Sequence, residues 1–233
     1  MVKILDCTTR DGGHSTNWEF SDDFVNNHIA KLQKSNVDFY EIGYRNRFDN
    51  NGKGRFFYCT KELLRIFCRA KNNLKIGIMT DVSRFSIEDF ENAKNDYVDF
   101  VRIASHPDRI KDMLDIASKL HNRGYNVIPQ IMEIPNVKEK HYEILADYDK
   151  KSNFECIYIA DTYSKVQPKD IEQYFNILKE IGYINIGFHA HNKHGLALEN
   201  TLKAIELGVY SVDVTYQGLG DNLDIEKLFE KLS

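Results

Sequence analysis

Near the amino terminus an apolar run, Val2 to Leu5, leads within a few residues to Arg10, Asp11 and His14, with Gly12 and Gly13 permitting a sharp backbone turn among them. Far downstream, His189-Ala190-His191-Asn192 closes another apolar run that begins at Ile184. Residues two apart in a strand point to the same face, so both imidazoles can bind one ion. If the two strand ends meet, Asp11, His189 and His191 make a site of two nitrogens and one oxygen for a divalent metal, with positions left open for substrate. Such donors, with no thiolate among them, suit Mn²⁺, Mg²⁺, Co²⁺ or Zn²⁺, and Mn²⁺ is the first expectation.

The elements that must position these groups are legible as apolar runs alternating with amphipathic stretches, the pattern of βα units and a parallel sheet. Eight runs read as strands: Val2–Thr8, Val37–Ile42, Leu74–Met79, Tyr97–Ala104, Tyr125–Met132, Phe154–Ala160, Ile184–His189 and Tyr210–Thr215. Helices fall between them. Ser21 is placed to cap one carrying Phe24, Val25, Ile29 and Leu32, Thr60 a second with Leu63, Leu64 and Phe67, and Ser86 a third. A fourth aligns Ile110, Met113, Leu114, Ala117 and Leu120 and stops at Gly124. The fifth runs from Val137 to Asp149. The sixth starts at Pro168 and ends by Gly182, the seventh spans Leu196 to Leu207, and the last covers Ile225 to Leu232. Without linkers or low-complexity tracts, the expected fold is a single-domain α/β protein, a (β/α)8 TIM barrel over residues 1–233, with a doubly wound sheet as the alternative.

Composition narrows the function. A chain of 233 residues, 42% apolar and 28% charged, suits a globular domain with a sizeable core. Its net charge of −4, with Lys and Arg scattered, argues against nucleic acid or an anionic membrane as partner. A small-molecule substrate is expected. No run is long enough to span a bilayer and the first strand starts at once, so a cytoplasmic location is expected. Cys7, Cys59, Cys68 and Cys156 show no paired metal spacing and read as free buried thiols.

In such a barrel the active site lies at the carboxyl ends of the strands, where polar residues collect. Glu41 ends strand two, Arg102 lies on strand four, and Asp161 and Thr162 end strand six. Strand eight runs out through Gly218-Leu219-Gly220-Asp221-Asn222. Closure would bring strands one and seven within one strand of each other.

The pairing of Thr8-Thr9-Arg10-Asp11-Gly12 with His189-Ala190-His191-Asn192 resembles the DRE-TIM metallolyase superfamily, which includes 4-hydroxy-2-oxovalerate aldolases, 3-hydroxy-3-methylglutaryl-CoA lyase and isopropylmalate and homocitrate synthases. The likeness spans the barrel. It implies Asp11, His189 and His191 as metal ligands and Arg10 as the group stabilising an enolate oxygen. His14 falls where the 4-hydroxy-2-oxo acid aldolases carry their catalytic base, which favours that branch. Three features depart from the pattern: the loop after strand eight is short, no cysteine lies in it, and the long carboxy-terminal region that docks a dehydrogenase in the pathway aldolases is missing. No channelled dehydrogenase is therefore expected, and a homodimer stays open.

The expected activity is metal-dependent aldol cleavage or formation of a 4-hydroxy-2-oxo acid through a pyruvate enolate. Arg10 and His14 serve as catalytic groups, and Glu41, Arg102 and Thr162 as substrate contacts. Asn192 and Asn222 would orient a ligand or water. Blander readings exist for each: a structural ion pair of Glu41 with Arg102, turn-forming asparagines, a solvated His14. His28, His106, His121 and His141 read as surface residues on helices or helix starts. The alternatives at the level of function are a Claisen-type acyl-CoA synthase, Fe(II) oxygen chemistry on the same ligands, and a non-catalytic metal-binding barrel.

Overall fold

A computed structural model describes residues 2–47, 51–68 and 73–232. Eight parallel strands close in sequence order: β1 (Lys3–Asp6), β2 (Phe39–Tyr44), β3 (Lys75–Asp81), β4 (Phe100–Ser105), β5 (Asn126–Ile131), β6 (Ile157–Asp161), β7 (Ile186–Ala190) and β8 (Ser211–Val214). β8 pairs back to β1, with Lys3 opposite Ser211 and Asp6 opposite Val214. The doubly wound alternative is thereby excluded, because an open sheet would leave those two edges unpaired.

Period two along each strand sorts the interior into layers. Leu5, Phe39, Phe100, Ile128 and Tyr158 pack together in one apolar cluster with Cys7 and Cys156. Two residues further along, and so on the same inward face, stand Cys7, Glu41, Arg102, Gln130 and Ala160. His189 and Asp213 lie at the same inward phase on β7 and β8, two residues beyond Gly187 and Ser211. The barrel therefore changes from apolar to ionic within one pleat. Outward-facing strand residues such as Ile4, Ile42, Val101, Ile103, Val127 and Val212 form the larger core beneath the helices.

The helices follow the apolar spacing. A short α1 (Gly13–Thr16) precedes α2 (Asp22–Leu32), which Ser21 caps by accepting from the Phe24 N–H, and Thr60 caps α3 (Lys61–Phe67) in the same way. Then come α4 (Ile110–Asn122), α5 (Glu139–Asp147), α6 (Pro168–Glu180), α7 (Ala197–Glu206) and α8 (Ile225–Leu232). The helix expected after Ser86 does not form. Between β3 and β4 the described chain makes two single 3-10 turns, Ile87–Asp89 and Ala93–Asn95. Ser86 spends its hydroxyl on Glu88 rather than on a helix end, Asn92 accepts from the Lys94 N–H to start the second turn, and only Phe90 of this stretch is fully buried.

Two histidines read as surface residues are interior. His28 turns from α2 onto the outer face of β1, where it meets the buried Asp6 carboxylate at 3.0 Å. His141 folds back so that Nδ1 accepts the Lys138 N–H and closes the start of α5. All four cysteines are buried and free. Among the described residues no helix is long and apolar enough to cross a membrane.

Candidate active site

The carboxyl ends of β1 and β7 meet as their flanking of β8 requires. His189 Nε2 and His191 Nε2 lie 3.1 Å apart, and Asp11 Oδ2 is 3.0 Å from the second and 3.6 Å from the first. The other ring nitrogens are committed. His191 Nδ1 donates to the Thr162 carbonyl at 2.8 Å, and His189 Nδ1 donates to Asp213 Oδ2 at 2.8 Å. In neutral imidazoles that leaves both Nε2 atoms as bare lone pairs, facing a carboxylate oxygen. Three acceptors pointing at one another repel unless a cation sits among them, so the donor set fits a divalent metal.

The surrounding charges agree. Burial would raise Asp11, but the adjoining Arg10 guanidinium and the His191 bond outweigh it and hold the carboxyl well below its usual range. Burial dominates at His189 and lowers its pKa, whereas at His191 the Asp11 bond overcomes burial and raises it. Beneath lies a network of buried ions: Arg10 bonds Asp11 and Glu41, and Arg102 spans Glu41, Asp213 and the Gln130 carboxamide. Three carboxylates against two guanidiniums leave one negative charge, which a divalent cation converts to a single positive one, suited to an anionic substrate.

Local sequence explains the approach of the loops. Asn222, 2% exposed, donates through Nδ2 to Asp11 Oδ2 at 2.6 Å and to the carbonyls of Leu219 and Gly220. The short loop after β8 therefore suffices to reach the ligand. Gly220 makes that turn with φ +76°, and a Cβ there would stand 2.7 Å from the Asp11 carbonyl oxygen. Asn192, by contrast, accepts the Ala197 N–H with its side chain at the start of α7 and makes no side-chain contact with Asp11 or either imidazole.

These residues open into a cavity of about 750 Å³ lined by Arg10, Asp11, His14, Tyr44, Gln130, Thr162, His189 and His191 among others. Arg10 is 2% exposed, and its Nη2 alone has no hydrogen-bond partner. The Tyr44 hydroxyl stays protonated, its pKa pushed up to about 12 by burial. His14 stands on α1 at the mouth, with its ring edge-on to Trp18 at 4.7 Å, and Trp18 Nε1 in turn holds the Arg10 carbonyl. Desolvation, with help from Arg10 and against Asp11, pulls His14 below the ordinary imidazole pKa.

The expected substrate contacts divide. Thr162 lines the cavity, and its hydroxyl accepts the Glu133 N–H. Glu41 and Arg102, expected as substrate contacts, are 0% exposed, do not line the cavity and are paired with each other as ions beneath it. Asp161, buried at the outward phase of β6, accepts the Lys165 and Val166 N–H groups and does not line the cavity. Sequence reading passed over Asp213, Gln130 and Tyr44. For Asp213 and Gln130 the signal was a polar group at an inward position inside an apolar strand, as in Ser211-Val212-Asp213-Val214, whereas Tyr44, three residues past Glu41, follows a shift of strand register that period two does not foresee.

A family model described as HMGL-like matches residues 1–232. Oxaloacetate decarboxylase of Mycobacterium tuberculosis is 27% identical across 98% of this chain and 69% of its own length. The 4-hydroxy-2-oxovalerate aldolase of Carboxydothermus hydrogenoformans is 28% identical across 94% of this chain and 66% of its own. The chain thus spans about two thirds of these relatives. Among solved structures, the N-terminal domain of a Bacteroides vulgatus protein classed as an aldolase superposes with a TM-score of 0.88 at 27% identity, covering 99% of this chain and 79% of that one. The HMG-CoA lyase of Brucella melitensis shares the fold at a TM-score of 0.77 and 15% identity, covering 99% and 89%.

Proposed function

Because the chain belongs to the HMGL-like family of lyases and aldolases, we propose that it is a divalent-metal-dependent aldolase that cleaves or forms a 4-hydroxy-2-oxo acid through a pyruvate enolate. The observation that carries this reading is the convergence of Asp11, His189 and His191 with every other imidazole nitrogen already spent. A metal held there, Mn²⁺ first, supplies Lewis acidity to a 2-oxo carbonyl beside it.

The remaining steps belong to side chains. Arg10, whose Nη2 makes no hydrogen bond and lies 3.8 Å from Asp213 Oδ2, donates to the oxygen on which enolate charge develops. His14, whose pKa desolvation lowers, accepts the proton of the C4 hydroxyl. The C4–O bond becomes a carbonyl, C3–C4 breaks, and its electron pair passes to the enolate. An aldehyde leaves, and protonation at C3 gives pyruvate. Trp18 keeps His14 and the Arg10 backbone in register by touching both.

Decarboxylation of oxaloacetate, the activity named for one relative, reaches the same enolate without any hydroxyl proton to remove. His14 at the mouth favours the aldol reaction. The test is pyruvate release from a panel of 4-hydroxy-2-oxo acids and from oxaloacetate, beside deuterium uptake into pyruvate. His14→Ala should depress aldol cleavage by roughly 10²–10⁴-fold with metal retained and exchange much less affected. Equal loss of cleavage and exchange would sink the assignment of His14, and turnover of oxaloacetate alone would favour the decarboxylase.

A further inference from the structure

Gln130 is 3% exposed on β5, lines the cavity, and sits in register with Ala104 on the neighbouring strand. Its Oε1 accepts from Arg102 Nη1 at 2.9 Å. A guanidinium only donates, so the carboxamide can face Arg102 with its oxygen alone, and its Nε2 must point the other way. Among the described residues no protein group accepts from that Nε2, and it is not among the buried polar atoms left without a partner. It therefore opens on the cavity. The same Arg102 Nη1 also donates to Asp213 Oδ2 at 2.7 Å, and that oxygen holds His189. One nitrogen thus ties the carboxamide to the support of the metal cluster.

A 2-oxo acid brings three oxygens to this floor. The metal and Arg10 account for the 2-oxo oxygen and one carboxylate oxygen, which leaves the second carboxylate oxygen to be satisfied or stranded. On the deductions above, and resting on the proposed lyase reading, we infer that Gln130 is a specificity residue whose Nε2 donates to the C1 carboxylate of the 2-oxo acid. Ala104 and Ala160, small residues that also line the cavity, leave room for that group. A neutral donor fits here for an electrostatic reason. It reads an anion without adding to a charge balance that Arg10, Arg102, Asp11, Glu41 and Asp213 already set.

Gln130→Glu separates recognition from support. The new carboxylate still accepts from Arg102, so the network survives, but it presents an acceptor to the substrate anion where a donor stood. In the Mg²⁺-loaded full chain, pyruvate binding is followed by saturation-transfer NMR and methyl exchange by deuterium uptake. The expected result is a folded protein that still holds metal, somewhat less stable for its added buried charge, with the Kd and KM for pyruvate raised roughly 10- to 100-fold and kcat for exchange nearly unaltered. Gln130→Met, which has no group to repel, should raise KM less. Wild-type affinity in Gln130→Glu, or a fall in kcat at constant KM, overturns the inference and leaves Gln130 a positioning residue. Pyruvate that binds the wild-type protein without exchanging would refute the lyase reading alone, with Gln130 still judged by binding; pyruvate that fails to bind refutes both.

Discussion

Two adjacent layers of one barrel interior obey opposite rules. In the lower one, Leu5, Phe39, Phe100, Ile128 and Tyr158 fill the space with interlocking apolar bulk. In the upper one, the positions two residues on hold Glu41, Arg102, Gln130 and, at the same phase, Asp213 and His189, nearly all stripped of water. Burying ions is a poor way to stabilise a protein, since desolvation commonly offsets the attraction. The lower layer closes the barrel, and the upper layer fixes charges for chemistry at the mouth.

The sharpest way to test that division is to damage each layer separately. His189→Ala removes one of three donors and should abolish bound metal and every enolate reaction while the fold persists by circular dichroism. Phe100→Ala should cost about 3–5 kcal/mol of stability yet leave metal content unchanged below its melting temperature. Metal loss in Phe100→Ala would show that the layers are not independent.

Next in size is Arg102→Met. It removes one cationic partner from each of Glu41 and Asp213, whose residues are 0% and 2% exposed, and should cost about 3–5 kcal/mol in chemical denaturation. Unlike Phe100→Ala, it should also weaken metal binding, because Asp213 would no longer be held against His189. A stability loss with intact metal affinity would reduce the upper layer to a second core.

How much of this could be read from the chain alone depends on range. Strand positions came through because each apolar run is fully buried in a parallel sheet, and the pairing of His189 with His191 because they share a face by period two. Asp11 needed only closure of the barrel to join them. What stayed hidden was whether an inward polar group looks up or sideways. Arg102 and Gln130 lie on successive strands and both face inward, yet Arg102 is consumed by Glu41 and Asp213 while Gln130 keeps one donor free. His28 was misread for the same reason, since nothing local shows that Asp6 waits opposite it. The missing helix after β3 reflects competition for its backbone: the Ile87 and Phe90 carbonyls accept from the Arg123 guanidinium, and the Asn92 side chain starts a separate turn.

Asn222→Ala probes the edge of the upper layer. Asp11 Oδ2 would lose its 2.6 Å donor, and metal affinity should fall roughly 10- to 100-fold, the usual cost of removing a group that orients a ligand. Unchanged affinity by competition with a chelator would confine Asn222 to shaping its loop.

The pH dependence tests the mouth. A general base works unprotonated, and the His14 pKa is lowered from its ordinary 6.5, so protonation sets in only on the acid side of that value. The acid limb of cleavage kcat/KM should have its midpoint below pH 6.5 and fall by about tenfold per unit beyond it. His14→Ala should erase that limb. An acid limb centred above pH 6.5 would point to a different base.

The smallest effect is expected at Asn192, which stands next to a proposed ligand in sequence yet spends its side chain elsewhere. Its Oδ1 accepts the Ala197 N–H at 3.1 Å, while the contact that ties this loop to Asp221 runs through its backbone N–H and would survive substitution. Asn192→Ala should therefore cost about 1 kcal/mol, the net worth of one hydrogen bond, and leave metal affinity and kcat as they were. Paired with Asn222→Ala, it asks whether proximity in sequence or contact in space decides which asparagine serves the site. Denaturant midpoints and chelator competition on the two variants answer together: a drop in metal affinity for Asn192→Ala equal to that for Asn222→Ala would mean that the whole β7 loop, and not the Asp11 contact alone, holds the ligands in place.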